Sequence, residues 1–269
     1  MLSQTLKLFF YGNDEKEDKL HDMQVSLESI SAWKRHLLRA VHQDKARQKV
    51  LDEVDSSKIF ITQDFAMKFL PRRFRGTQME WFGKRGISWH ISHCVRRTSS
   101  NKCEVSVYSH LFRQSISRNS EVVAAVMCHT LQKEKARHPE INEAFYLSDC
   151  AGSYASGGLL VPIRHIGRLT DISIKRYDFS EPQAGKGPCD RSSARQKSYV
   201  NRFLNEGNDV ISAEQVKKAL ESHGGVRSVV PYVVEYPESA GKCPTPRIPD
   251  VSLLHNYQYC NDSLKVWKA

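Results

Sequence analysis

The sequence has no long apolar segment. No stretch approaches the roughly 20 apolar residues that a membrane-spanning helix requires. The first residues, MLSQTLKLFFYGNDEKEDK, do not contain the basic region followed by an apolar core that marks a secretory signal. We therefore expect an intracellular protein that does not associate with a membrane.

A disulfide framework is also missing. The chain has seven cysteines, an odd number, and they are scattered over its 269 residues. A chain of this length buries enough apolar surface to fold without such links. We interpret the cysteines as reduced thiols.

Several binding motifs are absent as well. The segment GKGPC is not a phosphate-binding loop, because Ser or Thr does not follow a Gly-Lys pair at the required spacing. Cys128 with His129, and Cys243 with Cys260, lack the two-plus-two spacing of a zinc site. In an alternating strand His90 and Cys94 share one face and His93 takes the other, which favours histidines packed in a sheet or touching DNA over a structural zinc. The sequence shows no internal repeat, zinc finger or helix-turn-helix module.

Basic residues are abundant instead. Forty Lys and Arg against thirty Asp and Glu give a formal charge of +10, which favours a polyanionic partner. Residues 68–97 concentrate this charge, with one acid, Glu80, and interleaved aromatic rings that could stack on bases. A solvated surface with its rings in the core is the alternative. The candidate DNA-binding residues are Lys68, Arg72, Arg73, Arg75, Lys84, Arg85 and, in the glycine-containing loop, Lys186.

The periodicity of apolar residues predicts the order of the elements. Residues 1–24 resemble a tail, and a long amphipathic helix or a pair of helices begins with Ser26 as N-cap. Three strands without an intervening helix follow, with a turn at 99–101 between the last two. The predicted strands are 57–65, 86–97, 102–112, 141–148 and 171–179, and the predicted helices are 119–137, 153–167 and 189–206.

This βββαβαβα order predicts a ribonuclease-H-like α/β fold, in which helices flank a mixed five-stranded sheet and an α-helical leader precedes it. A helix at 213–222 and an edge strand at 226–236, marked by Pro231, follow these eight elements. We predict a helical leader at 1–55, a catalytic core at 56–236, and a Pro-rich linker with a C-terminal extension at 237–269.

Two acids occupy informative positions in this order. Asp64 lies late in the first predicted strand among apolar residues, and Asp149 follows the fourth strand. If these strands are neighbours, the two carboxylates meet at one edge of the sheet, where like charges repel. A shared divalent cation would hold both ionised, and two Mg²⁺ ions could activate a water or a 3′-hydroxyl at a phosphodiester.

Four segments, DFAMKF, WFGKRGISWH, LSDCAGSY and YDFSEPQAGKGPCDR, resemble the catalytic core of eukaryotic DNA transposases of the DDE type and of proteins derived from them. The resemblance covers roughly residues 55–235. It implies an integrase-like fold, DNA strand cleavage and transfer, dependence on Mg²⁺ or Mn²⁺, and a nuclear site of action. Asp64 and Asp149 match the first two acids of such a triad.

The third acid of the triad has two candidates. In such transposases it usually lies on the helix after the fifth strand or near its start, which favours Asp190 in the first turn of the predicted helix. The residue type of the most familiar triads favours Glu181, at the end of the strand. Asp178 is the weakest choice. We expect Asp64, Asp149 and Asp190 to bind the metal, with Glu181 as the alternative to Asp190.

Two other functions are compatible with the same residues. The chain could be a domesticated, catalytically silent DNA-binding or regulatory protein that retains the fold. It could also be a nuclease directed at RNA or at a hybrid duplex. A homo-oligomer is a further expectation, and the sequence leaves open whether the N-terminal helix is a dimerisation element or contacts DNA.

Overall fold

A computed structural model describes residues 16–77, 85–114, 116–181, 187–236, 246–260 and 263–268. Within them the helices are α1 (Lys16–Glu53), α2 (Ser120–Arg137), α3 (Gly157–Leu160), α4 (Ile163–Thr170), α5 (Pro188–Asn205) and α6 (Ala213–Glu221). The strands are β1 (Lys58–Phe69), β2 (Ile87–Arg97), β3 (Cys103–Phe112), β4 (Glu143–Ser148), β5 (Ser173–Phe179), β6 (Val229–Val234), β7 (Asn256–Tyr259) and β8 (Leu264–Trp267).

The strands form one mixed sheet in the order β6-β3-β2-β1-β4-β5-β7-β8. Strands β1, β2 and β3 pair antiparallel, whereas β4 is parallel to β1 and β5 is parallel to β4. This central arrangement is the ribonuclease-H-like core that the sequence predicts. The described sheet has eight strands rather than five, because β6 joins one edge and β7 with β8 joins the other.

Alternating side chains divide the core between the two faces of the sheet. On one face, buried β1 residues such as Ile59 and Ile61 pack with α2, α3 and α4. On the other face, Trp89 and Ile91 of β2 pack with α5 and α6. The last turn of α1 covers part of this second face, where Val50 lies in a small cluster of buried apolar residues.

Helix α1 differs from its prediction. It is one continuous helix that begins at Lys16, so Ser26 is an interior residue rather than an N-cap. No Gly or Pro interrupts this segment, and Glu17 and Asp18 stabilise its first turn by facing the positive end of the helix dipole. The mixed charges that resembled a tail are therefore compatible with a solvated helix.

Two further elements differ from their predictions. The helix expected at 153–167 is divided into α3 and α4, because Pro162 cannot continue a helix and instead precedes α4 as its N-cap. The last nineteen residues show no clear period but include β7 and β8. Strand β7 pairs antiparallel with β5, so this segment extends the sheet. The division of the chain at residues 55 and 236 stays a prediction.

Other local predictions agree with the structure. Strand β6 lies at the edge of the sheet, where the missing N–H of Pro231 is tolerated. Asn101 has a left-handed φ of 60° in the β2–β3 turn, as Asn commonly does. The six described cysteines are all free. Among the described residues, no helix has the length and apolarity needed to span a membrane.

Candidate active site

A cleft of about 820 Å³ lies beside the middle of β1 and at the carboxyl ends of β4 and β5. Helix α1 forms one wall and the start of α5 forms another. Asp64, Asp149, Asp190 and Glu181 all line this cleft. The structure therefore brings together the four acids that sequence reasoning singled out, but their partners differ.

The register of the sheet explains the proximity of Asp64 and Asp149. In the parallel β1–β4 ladder Thr62 is opposite Leu147. Asp64 lies two residues beyond Thr62 on β1, and Asp149 lies two residues beyond Leu147, directly after the end of β4. Neighbouring strands are about 4.8 Å apart. Asp64 is on the face of β1 on which α5 packs, and Asp149 lines the same cleft.

Asp64 carries an unusual proton affinity. Burial is the largest cause that raises the pKa of its carboxyl, and repulsion from Asp149 and Asp190 adds to it, so that the pKa is about 7. The positive charge of Arg118 opposes this effect and lowers the pKa of Asp64. Asp64 lies within β1, which continues to Phe69, and so is not near the end of the strand as predicted.

Asp149 is the first residue after β4 and lies at the exposed mouth of the cleft. One of its oxygens accepts a hydrogen bond from the backbone N–H of Ala151 at 3.2 Å, which fixes the turn that leaves the strand. The surrounding protein reduces the hydration of the carboxylate and raises its pKa, an effect that the Ala151 hydrogen bond and Arg118 oppose.

Asp190 belongs to the first turn of α5, where its Oδ2 accepts a hydrogen bond from the backbone N–H of Gly187 at 3.0 Å. The neighbouring Cys189 fixes this turn against the sheet, since its Sγ donates to the carbonyl oxygen of Thr62 at 3.2 Å. Thr62 is two residues from Asp64. This contact explains how a helix that starts far away in sequence presents its acid to β1.

Glu181 is engaged by other side chains. Its carboxylate is only 5% exposed and accepts hydrogen bonds from Arg39 at 2.7 Å and 3.3 Å. His36 lies 3.0 Å from the same carboxylate, and His255 lies 3.6 Å from it. Burial alone would raise the pKa of Glu181, but the hydrogen bonds from Arg39 and His36 outweigh it and the pKa is lowered. These contacts give Glu181 a structural role in attaching α1.

Asp178 has a local partner. Its carboxylate pairs with Arg176 at 2.7 Å on the same strand. Burial is the largest influence and raises the pKa of Asp178 to about 6, although Arg176 opposes it.

A buried polar chain joins the three strands below the acids. Gln63 donates to the hydroxyl of Tyr177 at 2.8 Å, and that hydroxyl donates to Ser148 Oγ at 3.1 Å. Ser148 in turn donates to the backbone carbonyl of Asp149 at 3.0 Å. Residues adjacent to Asp64 and Asp149 are thus linked across β1, β4 and β5, which stabilises the relative positions of the two acids.

Sequence reasoning missed Arg118, which precedes α2. Its Nη2 donates to the carbonyl oxygen of Ala66 at 3.0 Å, and its guanidinium lies 5.1 Å from the centre of the Phe65 ring. Both partners immediately follow Asp64 on β1. A positive charge therefore lies beside the acidic site, although nothing in the local pattern of the sequence indicates it.

The wall formed by α1 was also missed. Gln43 accepts from the backbone N–H of Glu181 at 2.8 Å and donates to the carbonyl of Phe179 at 3.1 Å. Arg47 lines the cleft one turn later. These polar residues come from a segment that sequence reasoning treated as a leader.

The predicted DNA-binding residues are distributed as follows. Lys84 and Lys186 lie outside the described residues. The others are exposed and lie on the end of β1 or in the β1–β2 connection, at the end of the sheet where the acids lie: Lys68, Arg72, Arg73, Arg75 and Arg85. Their role in binding DNA stays a prediction. His90 is fully buried in the sheet, where burial lowers its pKa to about 3, and His93 faces α5 on the opposite side.

The oxygen ligands of the cleft are of the type that Mg²⁺ and Mn²⁺ prefer. A divalent cation would relieve the repulsion that raises the pKa of Asp64. Among the described residues, however, no three His, Cys, Asp or Glu side chains already converge closely enough to complete a metal site. The donor set fits such an ion, provided that the carboxylates move towards it.

Comparison with known proteins gives a family without an assigned activity. The model of the family described as "Domain of unknown function (DUF8701)" matches residues 43–234. No curated protein matches the sequence.

The human cytomegalovirus terminase nuclease domain is similar in structure. The Mn-soaked, inhibitor-bound form has 14% identity and a TM-score of 0.29, with 65% of this chain and 67% of that chain covered. The Mn-soaked form has 11% identity and a TM-score of 0.28, with 70% and 69% covered.

Proposed function

The chain belongs to the DUF8701 family, whose description assigns no activity, and from the cleft itself we propose that it is a metal-dependent nuclease or polynucleotidyl transferase that acts on DNA. The observation that carries this proposal is the placement of three carboxylates from separate elements in one cleft. Burial of Asp64, together with repulsion from the other two carboxylates, raises its pKa to about 7. A fold gains no stability from such an arrangement, whereas a cation site requires it.

Each acid has a defined part in the proposed reaction. Asp64 and Asp149 provide oxygen ligands from adjacent strands, and Asp190 provides one from the helix that faces them. Two bound divalent ions would supply an activated nucleophile and stabilise the leaving oxygen of a phosphodiester. The partly buried position of Asp64 strengthens the electrostatic interactions of its carboxylate. Arg118 lies where it could orient a phosphate beside these acids.

The finer proposal is cleavage and transfer of DNA strands in the manner of a DDE-type transposase, in the nucleus. The resemblance of DFAMKF, LSDCAGSY and the segment that ends at Asp190 supports it, as does the exposed basic segment at the same end of the sheet. The rival is a domesticated DNA-binding protein that keeps this fold without activity.

The decisive experiment is a nicking assay on supercoiled DNA with Mg²⁺ or Mn²⁺. It compares the wild type with Asp64→Asn, Asp149→Asn and Asp190→Asn, and Glu181→Gln serves as the matched control. We expect the first three variants to lose at least about 100-fold in activity, because even the partners of metal ligands are worth about 10- to 100-fold. Glu181→Gln should retain most of its activity at a temperature where it is folded.

Three outcomes would contradict parts of the proposal. Equal activity of the wild type and Asp64→Asn would remove the proposed site. Loss of activity in Glu181→Gln but not in Asp190→Asn would reverse the assignment of the third acid. DNA binding without cleavage in either metal would favour the silent protein. Competition with RNA and hybrid duplexes identifies the substrate class.

A further inference from the structure

Helix α5 carries a row of arginines on its exposed side. The helix has four basic residues and one acid, Asp190, among its 18 residues. At 100° per residue, Arg191, Arg195 and Arg202 fall within about 40° of each other around the helix axis, and all three are exposed. The buried Val200 lies on the other side of the helix, which packs on the sheet. This arginine row is therefore a basic surface rather than part of the core.

The first two arginines of the row are placed against the electrostatics of the helix. Arg191 lies in the first turn of α5 and Arg195 in the second, near the positive end of the helix dipole, where cations are unfavourable. The two residues are also four positions apart, a spacing at which like charges repel. No Asp or Glu lies three or four residues from either of them. Neither feature stabilises the helix, and a polyanion bound along the row would offset both.

Other charges on exposed helix surfaces are neutralised along their own helix. On α6, Lys217 pairs with Glu221 at 3.7 Å. At the end of α5, Arg202 pairs with Glu206 at 3.1 Å. Both pairs have the four-residue spacing that is common on a solvated helix. The start of the arginine row has no acid at this spacing, which distinguishes it from an ordinary solvated surface.

Helix α5 also connects two surfaces that belong to the proposed function. At its start, Arg191 lines the acidic cleft. Beyond its other end, the chain that leads to α6 is bound to the basic β1–β2 connection. Asp209 accepts a hydrogen bond from the backbone N–H of Phe74 at 2.8 Å. Arg72 forms an antiparallel bridge with Val210. The helix thus extends from the candidate active site to the basic segment.

We propose that the arginine row of α5 binds the phosphate backbone of DNA outside the cleft and so holds the strand whose phosphodiester lies at the acids. The row extends about 16 Å along the helix, which is the rise of about five base pairs. Contacts to phosphates fix the position of a protein on DNA but carry no sequence information. We therefore expect this binding to be independent of sequence. The inference rests on the proposed function for the identity of the polyanion.

The test is the affinity of the full-length protein for a fluorescent DNA duplex, measured by anisotropy at several salt concentrations in EDTA, which prevents metal-dependent cleavage. The variant with Arg191→Gln and Arg195→Gln should bind at least about tenfold more weakly at about 0.1 M salt. Its slope of log affinity against log salt should decrease by about 2, since each phosphate contact contributes about 0.9. The loss should be the same for two duplexes of unrelated sequence.

Two further variants serve as controls. Lys102→Gln with Arg168→Gln removes two exposed positive charges elsewhere and should leave the affinity and the slope unchanged. Arg191→Lys with Arg195→Lys keeps the charge of the row and should keep the slope of the wild type. Wild-type affinity in the Gln variant of the row would overturn the proposal, as would an equal loss in the control with Lys102→Gln.

Thermal unfolding separates a binding surface from a structural one. Because Arg191 and Arg195 oppose the helix dipole and repel each other, their replacement by Gln should leave the melting temperature equal to or above that of the wild type. A lower melting temperature of this variant would show that the arginines stabilise the fold and would overturn the argument for a bound polyanion.

The nicking assay distinguishes this inference from the proposed function. A wild type that nicks DNA, together with a Gln variant of the row that binds as tightly, would overturn the role of the row alone. A wild type that binds DNA through the row without nicking it in either metal would support the row and overturn the nuclease. A wild type that neither binds nor nicks DNA would overturn both.

Discussion

The Asp64 carboxyl couples the stability of the fold to pH. Its pKa is about 7 in the folded protein, above the ordinary value of 3.8 that applies in the unfolded chain. Between these two values the folded state binds more protons than the unfolded state. Its stability therefore decreases as the pH rises from about 4 to about 7, which is the opposite of an ion-paired carboxylate.

Because the ionised Asp64 carboxyl lowers the stability of the fold at high pH, we predict that Asp64→Asn stabilises the metal-free protein at pH 8. The gain should be roughly 2 to 4 kcal/mol, because one pKa unit corresponds to about 1.4 kcal/mol, and it should fall below about 1 kcal/mol near pH 4 to 5. Urea unfolding in EDTA at several pH values measures it, with the exposed Asp44→Asn as control. Parallel pH profiles for Asp64→Asn and the wild type would contradict the prediction.

A bound divalent metal should stabilise the wild type more than the Asp64→Asn variant. Mg²⁺ or Mn²⁺ is expected to raise the melting temperature of the wild type by mass action and to do so much less for Asp64→Asn. Thermal unfolding at increasing metal concentration provides the measurement. This readout does not depend on cleavage, so a metal-induced shift without activity would separate a cation site from a nuclease.

Glu181 and Asp190 illustrate how an acid that stabilises the fold differs from an acid that is a candidate metal ligand. Both Glu181 and Asp190 follow β5 and line the same cleft. The sequence places them nine residues apart and cannot reveal that Arg39 and His36, more than 140 residues away, engage only Glu181. The partners of a carboxylate, rather than its position in the chain, decide its role.

At the scale of elements, α1 is held to the sheet by polar contacts with Glu181 as well as by the buried apolar cluster around Val50. We predict that Glu181→Gln lowers the free energy of unfolding by about 1 to 3 kcal/mol, since it leaves the Arg39 guanidinium without its charged partner. Urea unfolding measures this change. The exposed Glu53→Gln should change stability by less than about 0.5 kcal/mol. Equal effects of the two substitutions would exclude this attachment.

Strand β7 makes the C-terminal segment part of the core. Tyr257 is fully buried and its ring lies 5.6 Å from that of Phe179, edge to face. We expect Tyr257→Ala to destabilise the protein by about 3 kcal/mol or more, as for other large-to-small core substitutions. Val266→Ala on the exposed β8 is the control, with less than about 1 kcal/mol expected. A small effect at Tyr257 would show that the segment is dispensable for folding.

On the scale of the whole molecule, a group of exposed bases lies at the same end of the sheet as the candidate acids. These bases lie on the end of β1 and in the β1–β2 connection, beyond the cleft that Asp64 lines. The turn between β2 and β3, which contains Lys102, lies at the opposite end of the sheet. This distribution would direct DNA towards the proposed active site.

Salt dependence of DNA binding tests that distribution. The variant with Arg73→Gln and Arg75→Gln should reduce the slope of log affinity against log salt by about 2, since each phosphate contact contributes about 0.9. Exposed bases elsewhere serve as the control, in a variant with Lys102→Gln and Arg168→Gln, for which no change in slope is expected. Equal slopes for the two variants would contradict a DNA-binding surface at 68–97.

Much of the central fold follows from local sequence. The alternation around Trp89 and Val107, the N-cap at Asn119 and the helix stop before Pro139 are local signals, and they correctly gave the βββαβαβ core. Strands β7 and β8 could not be recognised, because each is four residues long; β7 pairs with the distant β5, and β8 pairs with β7. Short strands carry too little periodicity to be distinguished from loops.

The sequence by itself determined the candidate acids, the positive charge and the order of the core elements, because each of these depends on residue type and short-range spacing. Only the tertiary structure decided that Asp64 and Asp149 line one cleft, that Glu181 is engaged by α1, and that Arg118 lies beside the site. These are contacts between residues far apart in the chain. They are set by strand register and helix packing, which no local pattern encodes.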